Sequence, residues 1–251
     1  MFQKILPAIS FFVLLSFGIN DAVIAQIKKP VAVKPVAKKP VAKKPAIVVA
    51  KKAIAKPAAM RIRITTDSGT IMVKLYDSTP LHRDNFLKLV KAGFYDSLLF
   101  HRVIQGFMIQ GGDPASKYAA AGTMLGNGGG DMARIPAEFR PSLYHKKGAL
   151  AAARDGNPEK ASSAVQFYIV EGKVLTDDQL NMMEQQRGMK YSLAQRMAYK
   201  TIGGTPQLDA AYTVFGEVES GLEVIGKISN VPKDGMNRPT GDIRMKMTII
   251  K

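Results

Sequence analysis

Phe100-His101-Arg102-Val103-Ile104-Gln105-Gly106-Phe107-Met108-Ile109-Gln110-Gly111-Gly112-Asp113-Pro114 is the stretch on which the fold turns. Short apolar pieces alternate with polar side chains, and the Gly-Gly-Asp-Pro end is a strand terminator and turn. Successive strand residues point to opposite faces. An arginine and glutamines set among Phe107, Met108 and Ile109 therefore do not all face solvent. A groove with one guanidinium, a few amide donors and apolar walls suits a peptide segment that carries an apolar ring. Taken alone, Arg102 reads as a surface strand arginine.

Upstream, Arg61–Thr66 and Thr70–Tyr76 each alternate polar and apolar residues around Asp67-Ser68-Gly69, which predicts a β-hairpin. Ser78-Thr79-Pro80 then starts a helix in which Phe86, Leu89 and Val90 share a face and Gly93 ends the run. Downstream, strand-like sequence recurs at 148–157, 165–170, 212–218 and 243–250, with a second short helix over 221–230. Many short strands with two covering helices predict a mainly β fold, a closed or nearly closed barrel. Residues 171–207 break this pattern. Thr176-Asp177-Asp178 caps one helical piece, Gly188 stops it, and a second follows before Gly203-Gly204. The pairs Leu180 with Met183 and Leu193 with Met197 sit at helical spacing. They predict a helical hairpin packing onto the barrel; the other reading is a flexible apolar grip on unfolded chains.

The chain has 251 residues, 46% of them apolar, with no Cys and no Trp. That length accommodates one full domain plus extra segments. The missing cysteines exclude a disulfide framework, a thiolate nucleophile and Cys-ligated zinc. The net charge of +16 is unevenly spread, since residues 26–59 carry +10 and residues 60–251 only +6. Residues 1–25 hold one lysine before an apolar run and end in Val-Ile-Ala, the pattern of a secretory signal peptide cleaved after Ala25, or otherwise an uncleaved anchor. In 26–59, Pro30, Pro35, Pro40 and Pro45 recur, each after a lysine, which disfavours helix and sheet. An extended, disordered spacer is expected, acting as a tether or in weak contact with an anionic envelope surface. No aromatic residue interleaves these lysines, so specific nucleic-acid binding is not expected.

The three histidines have no metal-ligand spacing, and no metal site is expected. His82 and His145 read as solvated polar residues. Gly126–Asp131 lacks both the P-loop and the dinucleotide pattern, and reads as a loop.

The quoted stretch 100–114 resembles the signature segment of the cyclophilin-type peptidyl-prolyl isomerases. Four more blocks agree in order: NFLKLVKAGFYD at 85–96, GALAAAR at 148–154, SSAVQFYIV at 162–170 and LDAAYTVFGEV at 208–218. The resemblance spans 60–251 and implies a closed eight-stranded antiparallel β-barrel capped by two helices, here with a helical insertion at 171–207. It places the catalytic arginine on Arg102, a pocket-edge histidine on His101 and backbone-holding amides on Gln110 and Gln166, beside Ala153. The proline pocket falls on Phe107, Met108, Tyr168 and Leu208, with Tyr212 at its rim. Tyr168, Tyr212, Arg154 and Gln207 stand where the family often has Phe, His, Asn and Trp. The implied function is isomerisation of X–Pro bonds in unfolded or flexible polypeptides, assisting the folding of exported proteins. Rotation breaks no covalent bond, so no cofactor is expected, and a monomer is. The competing readings are a non-catalytic chaperone or client-binding module of the cell envelope, and an interaction protein in which 26–59 is the working part.

Overall fold

The hairpin at the start of the domain sets the register of the sheet. In a computed structural model, which describes residues 60–250, β1 (Arg61–Thr66) pairs antiparallel with β2 (Gly69–Leu75). The expected signal peptide and Lys/Pro segment lie outside the described residues. Ile62, Ile64, Ile71 and Val73 are fully buried while their neighbours along each strand are not, as a one-sided sheet requires.

Six further strands follow: β3 (Phe100–Ile104), β4 (Met108–Gly111), β5 (Ala149–Ala152), β6 (Phe167–Val170), β7 (Val214–Ser220) and β8 (Lys246–Ile250). They form one mainly β, eight-stranded sheet in the order β3-β4-β6-β5-β7-β2-β1-β8, every pairing antiparallel. The sheet curls until its edges meet, but β3 and β8 share no ladder. An isolated bridge between Leu99 and Arg244 spans the seam. Backbone bonds flank it, from Ser97 to Met245 (2.9 Å), Met245 to Leu98 (2.9 Å) and Phe100 to Ile243 (3.0 Å). The seam is thus built by the first residue of β3 and the residues just before the two edge strands.

Two helices seal the inner face. Helix α1 (Pro80–Lys91) contributes Phe86, Leu89 and Val90, and helix α4 (Leu222–Ser229) contributes Val224, Ile225 and Ile228. Phe86 meets Tyr95, Phe167 and Phe215 with ring centroids 5.1–5.6 Å apart. Thr79 does not cap α1, because its hydroxyl donates to the Tyr76 carbonyl. The carboxylate of Glu138 takes that place, accepting from the backbone N–H of Leu81 (3.2 Å) and His82 (3.0 Å).

The segment expected as a helical insertion holds α2 (Asp177–Arg187) and α3 (Leu193–Thr201), each opened by a capping box, Thr176 with Gln179 and Ser192 with Gln195. Gly188 closes α2 in the left-handed conformation (φ +61°). Leu180 is buried with Tyr191 and Tyr199, and Met183 packs on them. The expectation for Leu193 and Met197 is corrected: they are 78% and 53% exposed. The buried positions of α3 are Gln195 and Tyr199, two residues further along, which turns Leu193 and Met197 to the opposite side of the helix.

Candidate active site

The outer face of the curled sheet carries the site. Register places Arg102 opposite Gln110, Gln110 opposite Tyr168, and Tyr168 opposite Ala151. One row across four strands thereby presents a guanidinium, an amide, a phenol and a methyl group. Phe167, Ile169, Leu150 and Ile109, at the alternate positions, point into the barrel core. A register shift between Phe100 and Arg102 turns Arg102 outward while Phe100 and Val103 both stay in the core. Ala149 and Ala151 of β5, with Ala153 just beyond it, pack on the outer side, where larger side chains would fill the groove.

Above this floor lies a cavity of about 310 Å³ walled by Phe107, Met108, Tyr168, Leu208 and Tyr212. His101, Arg102, Gln110 and Ala153 border it as well. Gln166 lines an adjoining cleft of about 400 Å³, which shares Gln110 and Ala153 with the first. The structure thus brings together all ten positions expected from the sequence.

A directional chain of hydrogen bonds holds the polar side. Arg102 Nη1 donates to Gln110 Oε1 (3.1 Å), and Gln110 Nε2 donates to Gln166 Oε1 (3.0 Å). Gln166 Nε2 in turn donates to the carbonyls of Gly126 and Gly128, both at 2.9 Å. Those two glycines return their N–H groups to the carboxylate of Asp113, which is fully buried and also accepts from Ala115 N (2.8 Å). Asp113 reaches this position through Gly112 (φ +95°), where an added Cβ would lie 2.2 Å from the Val165 carbonyl oxygen. The glycine run read only as a loop is therefore a wall of the site. The run of small residues was the available signal, but its target, the Asp113 carboxylate, was not visible in sequence.

His101 borders the cavity, yet it is only 3% exposed and neither ring nitrogen has a hydrogen-bond partner. Burial pushes its pKa down to about 4, Asp113 opposes the shift, and Arg102 and Arg238 reinforce it. Arg102 thus stands beside a neutral imidazole at ordinary pH.

His82 and His145, expected in solvent, are 2% and 1% exposed. His82 Nδ1 faces Glu138 Oε2 at 2.7 Å and its Nε2 faces Ser162 Oγ at 3.0 Å. Burial lowers its pKa despite Glu138. His145 Nδ1 lies 2.8 Å from Asp209 Oδ1, and its Nε2 lies 2.9 Å from the hydroxyl of Tyr168. The His145 ring thus bridges Asp209 and the hydroxyl of Tyr168, whose phenol burial keeps protonated. Tyr199 of α3 donates to the other oxygen of Asp209 (2.5 Å). The pocket wall is thereby tied through His145 and Asp209 to the insertion. Both corrections share a cause: the acids that pair these histidines lie 56 and 64 residues away in sequence.

The family described as cyclophilin type peptidyl-prolyl cis-trans isomerase/CLD matches residues 61–249. The chain belongs to the cyclophilin-type peptidyl-prolyl cis-trans isomerases. A Staphylococcus haemolyticus protein that carries the name peptidyl-prolyl cis-trans isomerase is 32% identical over 185 residues, 73% of this chain and 87% of that one. A Streptococcus pyogenes protein, whose name joins a phosphatase to a peptidyl-prolyl cis-trans isomerase, is 33% identical over 186 residues. That match takes in 73% of this chain but only 37% of the longer relative. A crystal structure of a Cryptosporidium parvum cyclophilin type isomerase, obtained in the presence of the dipeptide Ala-Pro, is 26% identical with a TM-score of 0.54. It covers 76% of this chain and 99% of the other.

Proposed function

We propose that this chain rotates X–Pro peptide bonds in unfolded or flexible polypeptides, and that its clients are exported proteins. The carrying observation is the placement of Arg102, oriented by Gln110, at the border of an apolar cavity of about 310 Å³. The apolar walls seat the prolyl ring. Rotation faces a barrier of about 18–20 kcal/mol because the amide loses its conjugation. In the twisted state the prolyl nitrogen becomes pyramidal and basic. A guanidinium that donates to it only there favours the transition state over both ground states. Arg102 uses one N–H on Gln110, and a guanidinium has five. The chain through Gln110 and Gln166 to the glycine wall supports the charge in place before substrate arrives, which is where electrostatic catalysis gains most.

The test is an isomerase assay of the whole chain on a proline tetrapeptide. Arg102→Ala should reduce kcat/KM by about a hundredfold or more, the usual loss when one fixed donor to developing charge is removed. Activity within twofold of the parent would remove Arg102 from the mechanism. A parent without activity would leave a client-binding module.

A further inference from the structure

Tyr212 has a second side. It borders the catalytic cavity, and it also borders a separate cleft of about 290 Å³ between the barrel and the insertion. Phe139, Leu143 and Val214 line the cleft from the barrel, and Met189 lines it from the turn after α2. Its polar lining is largely committed. Asp209 is engaged by His145 and Tyr199, and Gln195 bonds across to Asp209 (3.5 Å). The volume sits at the lower edge of ligand pockets, roughly 300–1,000 Å³, so a large side chain fits better than a cofactor.

Positive charge flanks this apolar space: Arg140 lines it, while Lys160 and Arg154, the latter also on the catalytic cavity, lie over its Phe139 and Tyr212 rings. Arg140 is exposed and donates to a backbone carbonyl, that of Ser78. Lys160 lies over the Phe139 ring at 5.9 Å and donates to the Ala210 carbonyl. Arg154 lies over the Tyr212 ring at 4.7 Å and donates to the Ala211 and Asp155 carbonyls. Among the described residues, none of these three cations has a carboxylate within ion-pair distance. Lys190, also on the cleft, is neutralised by Glu184.

We propose that this cleft is a second subsite for the client, taking an apolar side chain flanked by an acidic residue from the same polypeptide whose proline occupies the catalytic cavity. Continuity through Tyr212 identifies the occupant, and the unpaired cations set its charge. One aromatic ring separates the two spaces, so about two to four extended residues, at about 3.3 Å each, bridge them. The insertion then has a role in client choice through Met189. The inference rests on the proposed isomerase function and deepens it.

The experiment compares, on the whole chain, a proline tetrapeptide with longer peptides that carry a Leu-Glu pair at increasing distances from the same proline. At one spacing kcat/KM should rise about tenfold, through KM, the usual effect of filling an apolar pocket. Met189→Ser and Arg140→Glu should each abolish that rise while leaving tetrapeptide kcat/KM unchanged. A flat response to spacing, or a rise that survives both substitutions, overturns the subsite. So does loss of tetrapeptide turnover in both variants, since the cleft would then be framework for the first pocket. A parent inactive on the tetrapeptide overturns the isomerase function itself, and the two failures are told apart by that control.

Discussion

Arg102 and His101 are neighbours with opposite electrostatic histories. A guanidinium is a permanently charged group, and the imidazole is held neutral by burial, with a pKa pushed down to about 4. No group in the proposed step changes charge near neutrality, so kcat should be flat between about pH 5.5 and 9. A bell-shaped profile with tenfold limbs would require a general acid and base and would end the mechanism. Stability behaves differently. The unfolded chain takes up the His101 proton near pH 6.5, well before the folded one does. Stability present above about pH 6.5 is therefore lost as pH falls towards about 4, by on the order of 3 kcal/mol from this residue. Denaturant titrations across that window should show His101→Leu losing less stability than the parent. Tyr168→Phe tests a different bond. It strands the Nε2 of His145, and unfolding should become easier by about 1–3 kcal/mol. Its kcat/KM should stay within a few-fold of the parent, because the ring that walls the cavity remains.

At the scale of elements, strong local signals translated directly. The β1–β2 hairpin, the face of α1 and the start and stop of α2 are all written within a few residues of where they act. Where burial depends on a partner, spacing alone misled. Leu180 and Leu193 both begin an apolar i, i+3 or i, i+4 pair, but Leu180 is fully buried and Leu193 is 78% exposed. Leu180→Ala should destabilise by about 2–5 kcal/mol in chemical denaturation. Leu193→Ala should stay within about 0.5 kcal/mol of the parent. Equal costs would mean that α3 is rotated from the orientation described. The cap of α1 shows the same limit, because a serine-threonine-proline start is followed by capping from Glu138.

For the whole molecule, the charge map separates a mildly basic stretch, residues 60–251, from a strongly basic one, residues 26–59, +6 against +10. We propose from the N-terminal pattern that the chain is itself exported, and N-terminal sequencing should then find it beginning at Gln26. A start at Met1 in a membrane fraction would indicate an uncleaved anchor instead.

The sequence by itself determined the mainly β class, the two covering helices, the helical hairpin between β6 and β7 and the family. Those features are short-range: alternation, helical spacing, turn residues and ordered blocks are each contained in a handful of neighbours. The tertiary structure decided the rest. It set the row from Arg102 to Ala151 by strand register, and made Gly126–Gly130 a wall through Asp113. It buried His82 and His145 against acids and joined Tyr168 to Tyr199. It also left an apolar cleft on the far side of Tyr212. A buried polar group must find a partner wherever the fold brings one, and which distant residue arrives depends on register and loop path that no local pattern specifies.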